Sequence, residues 1–377
     1  MSGRVNAVRR AMTEAPADTV VEGLADALAK EYAITDVELF LIDYRLATLL
    51  PLRGGAAVTH PGDPAWRCFD HQSEVTAERS TYLPVTARGE RLGVLRYAPM
   101  LADGDAQAEL AEVATLLAHE LQSAGSGTDR YTMAARTRRL TLAAEMQWEL
   151  LPGRSRIRPS FGLAGQLEPA YAVRGDSFDW AEHGELLFLS VLNGMGEGVT
   201  AALLTSLATQ ALRNARRAGL ALADQAALAD QAIFAQHRGQ MHVAALLLEL
   251  NQRTGEVSAV DAGSPQLIVL REGEVLDQEL EAQFPLGMFE TSEYTAQHFT
   301  LRPGDRMLVV SDGVCDAVST TGRYGEIALH RFVRRASSLA PLQAVRSLLG
   351  DLRAFLGDAD LDDDAVVVCL DWAGAGR

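Results

Sequence analysis

Between residues 161 and 372 the chain is a succession of short apolar runs, and their order limits the possible folds more than any other feature. The runs are "FGLAGQLEPA", "ELLFLSVLN", "HVAALLLELN", "EVSAVDAG", "QLIVLREGEV", "HFTLRPGDRMLVVSDG" and "DAVVVCLDW". Their lengths and the turn residues bounding them read as strands. Helical patterns fall at 198–217, 221–236, 325–336 and 341–356. Strands grouped together, with helices only between distant members, argue an α+β domain with an antiparallel core, not a regular βαβ repeat.

A smaller unit precedes it. "TVVEGLADALAKEYA" carries a helical apolar stripe, and "VELFLIDYRLATLLPL" reads as two strands turning near Asp43 and Tyr44. "STYLPVTARGERLGVLRYAP" is a hairpin with its turn at Arg88 and Gly89, and "DAQAELAEVATLLAHELQSA" is an amphipathic helix. This αββ…ββα unit ends in the Gly- and Ser-rich "SAGSGT". The next segment, 129–153, is helical in character until Pro152 stops it, either as a spacer or as a helix that dimerises. The expected organisation is a tail over 1–18, a first domain over 19–123, a linker and helix over 124–153, and a second domain over 154–377.

Composition excludes several function classes. A chain of 377 residues with 48% apolar and 22% charged residues suits two globular domains with sizeable cores. A net charge of −16 disfavours nucleic-acid binding; the basic cluster "RNARRAG" suits a helix C-terminus instead. Apolar runs are too short for a membrane helix, and the N-terminal stretch lacks the apolar centre of a signal peptide, so a cytoplasmic protein is expected. Cys68, Cys315 and Cys369 are widely spaced, the last two within apolar strand-like runs, and the histidines are scattered without an HExxH. Neither a disulfide framework nor zinc chemistry follows.

The aspartates are more informative. Asp176 lies in a turn after "AYAVRG", Asp312 follows the apolar run "RMLVVS", and Asp363 and Asp364 open "AVVVCL". Carboxylates at the margins of buried strands are costly unless hydrated, paired or bound to a cation. Converging strand ends of this kind suit Mg²⁺ or Mn²⁺, which prefer oxygen ligands. Each aspartate alone is equally consistent with a turn or helix cap.

Taken in order, the motifs resemble those of a PPM-type (PP2C-like) protein phosphatase of the bacterial stage II sporulation E and sigma-regulatory group. "AEMQWELLPG" resembles the helix preceding such domains, and "RGDSFDW" their first aspartate motif. "LNGMGEGVTAALL" resembles the Asp-x-x-Gly-His-Gly motif that opens a helix, and "TGEVSAVDAGSPQLIVLREGEV" the segment with Ala-Gly-His-Pro. "FPLGMF", "LRPGDRMLVVSDGVCDA", "GRYGEIAL" and "DDDAVVVCL" follow in the expected sequence. Residues 19–123 resemble, more loosely, a GAF-type sensor domain, through element order and the "GERLGVLRY" hairpin.

The resemblance implies a β-sandwich flanked by helices, with a smaller GAF-like α/β domain and a helical linker before it. It also implies two Mn²⁺ or Mg²⁺ ions whose bridging water, acidified by the metals, attacks a phosphoserine or phosphothreonine in line. Asp176, Asp312 and Asp363 would be metal ligands, with Gly194 offering its carbonyl. Asp179, Glu197, Asp316 and Asp364 would stand behind them, or serve as plain turn and capping residues. The implied partner is a phosphorylated anti-sigma-factor antagonist, and a homodimer through the GAF-like domain and linker helix is expected.

Four residues depart from the family pattern. Asn193 stands where the metal-bridging aspartate belongs, Glu197 where a histidine belongs, Ser264 in place of the histidine of Ala-Gly-His-Pro, and Ala244 in place of a threonine. An amide oxygen can ligate a cation but brings no charge, and losing one carboxylate removes a large attraction for two dications. Glu197, at the start of a helix, complements the helix dipole. Two readings therefore remain: a metal-dependent phosphatase, weakened and holding two, one or no metal ions, or an inactive pseudophosphatase that binds a phosphoprotein or partner.

Overall fold

The computed structural model describes residues 2–101, 103–169, 173–263, 265–357, 359 and 361–375. It divides into two compact units, 1–139 and 140–377.

The first unit runs α1 (Gly3–Glu14), α2 (Val20–Tyr32), β1 (Asp36–Ile42), β2 (Leu49–Pro51), α3 (Pro64–His71), β3 (Val75–Ala77), β4 (Ser80–Ala87), β5 (Glu90–Ala98), α4 (Gly104–Ala124) and α5 (Arg130–Ala134). Its five strands form one antiparallel sheet, ordered β2-β1-β5-β4-β3. The turns are where the sequence places them. Asp43 accepts from the amides of Ala47 and Thr48, and Arg88 and Gly89 both take positive φ in the β4–β5 hairpin. Gly93 is required by close approach, since a Cβ there would stand 1.9 Å from the Phe40 carbonyl oxygen on β1.

The expected tail is a helix. Ser2 caps α1 by accepting from the Val5 amide, and Val5, Val8 and Met12 are buried in the core beside α2 and α4. The expected single helix over 129–153 is also corrected. It is two pieces, α5 and α6 (Leu142–Leu150), separated where Thr141 starts a new helix by capping the Ala144 amide.

The second unit continues with β6 (Ser155–Ile157), β7 (Phe161–Glu168), β8 (Asp176–His183), β9 (Leu186–Gly194), α7 (Gly198–Arg217), α8 (Leu222–His237), β10 (Val243–Asn251), β11 (Glu256–Ala262), β12 (Gln266–Arg271), β13 (Glu274–Asp277), β14 (Gln297–Thr300) and β15 (Arg306–Val310). It closes with α9 (Asp312–Cys315), β16 (Val318–Ser319), β17 (Gly322–Arg323), a π-helical turn (Gly325–Leu329), α10 (His330–Arg335), α11 (Pro341–Leu356) and β18 (Ala365–Trp372). Two antiparallel sheets result, β14-β11-β10-β9-β8 and β13-β12-β15-β18-β7-β6.

Alternation along the strands explains the packing. Leu187, Leu189 and Val191 of β9 and Leu246, Leu248 and Leu250 of β10 join Val366, Val368 and Leu370 of β18 in a core between the sheets. The intervening Val243, Ala245 and Leu247 pack with α7 and α8 in a second core. Both faces of the central strands are therefore buried, and helix α11 lies along β7 and β18. Along β8, Phe178 and Trp180 stack on the inter-sheet face with ring centroids 5.1 Å apart. Gly165 of β7 makes room for them, since a Cβ there would approach the Phe178 ring to 2.8 Å.

One departure concerns the segment around Asp176, read as a turn. It is the first residue of β8. Polar residues at 177 and 179 hid the strand, because the side chain of Asp179 is satisfied only by arginines of a distant helix.

Gly93→Ala should lower the unfolding midpoint of the full chain, at a cost of about 2 kcal/mol or more, because β1 and β5 must separate to admit the methyl group. Thermal unfolding followed by circular dichroism measures it, and an unchanged midpoint would refute the close approach.

Candidate metal centre

The candidate site forms where one face of the sandwich runs out at the strand ends. Asp176, on β8, pairs in register with Asn193 on β9, which in turn pairs with Ala244 on β10. Phe178 and Val191 lie on the inter-sheet face, so Asp176 and Asn193, two residues along each strand, point the same way. From the facing sheet, Ser311 and Asp312 follow β15, and Asp363 and Asp364 precede β18.

The glycine corner is held by α7. Thr205 donates through its hydroxyl to the Gly175 carbonyl at 2.6 Å, and the Gly194 amide donates to the same carbonyl at 3.2 Å. Gly175 has φ +107°, and a Cβ there would stand 2.7 Å from the Gly194 carbonyl oxygen, so neither residue tolerates a side chain.

The departure noted in the sequence has a definite geometry. The Asn193 Nδ2 donates to both carboxylate oxygens of Asp312, each at 2.8 Å, and the Gly313 amide donates to Asp312 Oδ1 at 2.9 Å. An aspartate at 193 would set two like charges in contact there; the amide turns repulsion into a hydrogen-bonded pair.

The other carboxylates fare differently. Asp364 is fully buried, and its Oδ2 accepts from the Gln147 side chain at 2.7 Å and from the amides of Arg174 and Gly175 at 2.9 and 3.1 Å. Asp363, half-buried, accepts from the Asp364 amide at 2.8 Å. Burial, aided by the charge of Asp312, pushes its carboxyl up to about 6. Asp176 is fully buried, and neither of its carboxylate oxygens finds a hydrogen-bond partner among the described residues. Burial and the adjacent charge of Asp364 push its carboxyl well above the usual carboxylate range; the nearby Ser311 hydroxyl, which donates to the Asp364 carbonyl, offsets this only in part. Asp312 is open to the cleft, yet enclosure by the strand ends raises its carboxyl against the pull of its hydrogen bonds.

The structure separates the remaining candidates from this cluster. Asp179 has the opposite parity to Asp176 on β8 and lies under α7, paired with Arg213 at 2.9 Å and Arg216 at 3.2 Å. The basic cluster thus anchors a strand as well as ending a helix. Glu197 is the exposed N-cap residue of α7 and makes no capping bond with its side chain. Asp316 is exposed and pairs with Arg323 at 3.2 Å. Cys315 closes α9, not a strand, and its thiol donates to Gln266 at 3.2 Å. Ser264 lies outside the described residues.

Two contributors were not read from the sequence. Gln147 bridges Asp364 and the Asp176 carbonyl through one amide nitrogen; its signal was a polar residue among the buried Ala143, Ala144 and Trp148 of α6. Arg174 lines a cleft of about 260 Å³ with Asp312, Asp316, Asp362 and Asp363, and is the one cationic side chain lining it among the described residues. A second hollow of about 260 Å³ is lined by Asn193, Ala244, Gly263 and Asp312.

These residues do not fit a two-metal centre. Among the described residues no group of three or more Asp, Glu, His or Cys side chains is placed to hold a metal ion, and an N–H group faces Asp312 where a shared ion would need lone pairs. One trace of cation chemistry persists in the buried, unpartnered carboxylate of Asp176.

A family profile described as stage II sporulation protein E matches residues 183–373. No curated protein sequence matches the chain. Among solved structures, the SiaA-PP2C domain of Pseudomonas aeruginosa is similar at 20% identity and a TM-score of 0.50, over 56% of this chain and 85% of that one. The RsbU and RsbW domains of Rv1364c from Mycobacterium tuberculosis are similar at 24% identity and a TM-score of 0.50, over 60% and 62%. The PP2C phosphatase domain of SpoIIE from Bacillus subtilis, with a fragment of its regulatory domain, is similar at 16% and 0.50, over 57% and 65%. The second unit therefore has a PP2C-like fold.

The folded state keeps the Asp363 proton up to about pH 6, whereas the unfolded chain releases it near 4. The folded form thus binds more protons in that window, and stability falls as pH rises through it. In the presence of a chelator, Asp363→Asn should lose less stability than the natural protein between those pH values. Urea midpoints across the range test this, and parallel curves would refute it.

Proposed function

Because the chain belongs to the stage II sporulation protein E family, we propose that its second unit is a PP2C-type module that binds a protein partner without hydrolysing a phosphoester. The observation carrying this reading is the Asn193 amide donating to both oxygens of Asp312. That pair sets an N–H group against the carboxylate that a shared cation would use, and it lacks the charge that would concentrate two of them. Electrostatics support it too: a cleft with four aspartates and one arginine repels a phosphoryl group unless cations intervene.

By resemblance, the pathway is partner switching and the partner an anti-sigma-factor antagonist. Residues 19–123 would serve as a GAF-like sensor, with a homodimer formed through that domain and the segment after it. A second reading, slow Mn²⁺- or Mg²⁺-dependent phosphoserine or phosphothreonine hydrolysis, is favoured by Asp176. Its oxygens have no partner among the described residues, and a bound cation would satisfy them.

p-Nitrophenyl phosphate with Mn²⁺ separates the two. The natural protein should be silent, and Asn193→Asp should turn over by at least about a hundredfold above it, the scale of losing a key electrostatic group. Asp312→Asn added to Asn193→Asp should silence it again. Turnover by the natural protein that Asp312→Asn abolishes would establish the hydrolytic reading instead.

A further inference from the structure

The loop joining β13 to β14, residues 278–296, carries two exposed aromatic rings that no part of the site uses. Phe284 is 61% exposed and Phe289 45%, and their rings meet edge to face with centroids 4.8 Å apart. The loop is fastened at its base. Leu286 exchanges backbone hydrogen bonds with Val243 at 2.8 and 2.9 Å. The buried Asp230 of α8 accepts from the Gly287 amide at 2.7 Å and from the Tyr294 hydroxyl at 3.0 Å. Gln283 and Thr295 exchange two further bonds, at 2.7 and 3.0 Å. Gly287 lies so close to α8 that a Cβ would stand 2.2 Å from Ile233. Two large apolar rings are thus presented to water on a fixed base, which is how interface anchors are built, with the ordering cost already met by the fold.

Charge says what can cover them. Residues 278–296 contain Glu279, Glu281, Glu290 and Glu293, and no Lys, Arg or His. All four glutamates are exposed. The loop reaches the site: Pro285 packs on Gly263, which lines the hollow shared with Asn193 and Asp312. A second copy of this chain, at −16, is repelled by such a surface, as are nucleic acid and anionic lipid.

We infer that this loop is a docking surface for a second protein that presents lysines or arginines around an apolar socket. Phe284 and Phe289 enter the socket while the glutamates meet the basic rim, which sets the partner's orientation over the cleft. The inference rests on the partner-binding reading only for what the cleft does once the partner is seated.

The test uses the full-length protein and three labelled synthetic peptides: one alternating Leu with Arg, one alternating Leu with Glu, and one alternating Ser with Arg. Fluorescence anisotropy at low and high salt should show the Leu/Arg peptide binding at least about tenfold tighter than either other. Phe284→Ser with Phe289→Ser should weaken it to the level of the Ser/Arg peptide. Glu281→Lys with Glu290→Lys should reverse the preference toward Leu/Glu, which guards against a serine variant that fails to fold. Binding indifferent to the serine pair would mean general charge attraction and overturn the proposal. So would light scattering showing a dimer that the serine pair dissolves. Neither result depends on Asn193→Asp turnover, so a failure here leaves the catalytic question where that assay puts it.

Discussion

Central strands buried on both faces have no freedom of register. A slip by one residue on β9 would drive Leu187, Leu189 and Val191 out of the inter-sheet core and into the helical layer, and would turn Asn193 away from Asp312. Everything at the site inherits its position from that constraint. Asp176, Asn193 and Ala244 stand side by side because β8, β9 and β10 pair there, and Asp312 and Asp364 face them because β15 ends and β18 begins at the same edge of the facing sheet. The acidic cluster is a product of sheet geometry, so it outlasts the replacement of one of its members.

That replacement changes the character of the cluster more than its shape. Carboxylates gathered at one edge repel each other unless cations, protons or hydrogen-bond donors stand between them. In this chain the donors are amides: Asn193 for Asp312, and Gln147 with two backbone groups for Asp364. Asp176 and Asp363 are left to protons, and their raised carboxyls follow from burial with too few donors. Hydrogen bonds and protons together hold the cluster at this edge.

Much of this was legible in the sequence. The bounds of α7 and α11 coincide with the apolar pattern, because capping glycine or proline and the 3.6-residue stripe fall together there. The converging aspartates were visible because each flanks an apolar run. What escaped depends on distant partners. β8 looked like a turn until Arg213 and Arg216 are seen to satisfy Asp179, and α1 looked like a tail because its three buried residues, Val5, Val8 and Met12, are widely diluted by polar ones. The start of α6 hangs on one threonine side chain. Helical propensity across the segment did not show it, because a capping residue acts through geometry, not composition.

Gln147 gives the helix ahead of the sandwich a hold on a fully buried carboxyl group. Its amide nitrogen touches both the Asp176 backbone and the Asp364 side chain, so α6 and two strands of opposite sheets share a single side-chain donor. Successive residues on a helix are about 100° apart. Turning α6 by one position would carry that donor off and bring a methionine or tryptophan in its place. Asp364 would still accept from the Arg174 and Gly175 amides, and those belong to the corner on which Asp176 depends. The helix therefore acts as a key in a lock of carboxylates, and its rotational setting decides which side chain reaches between the two sheets.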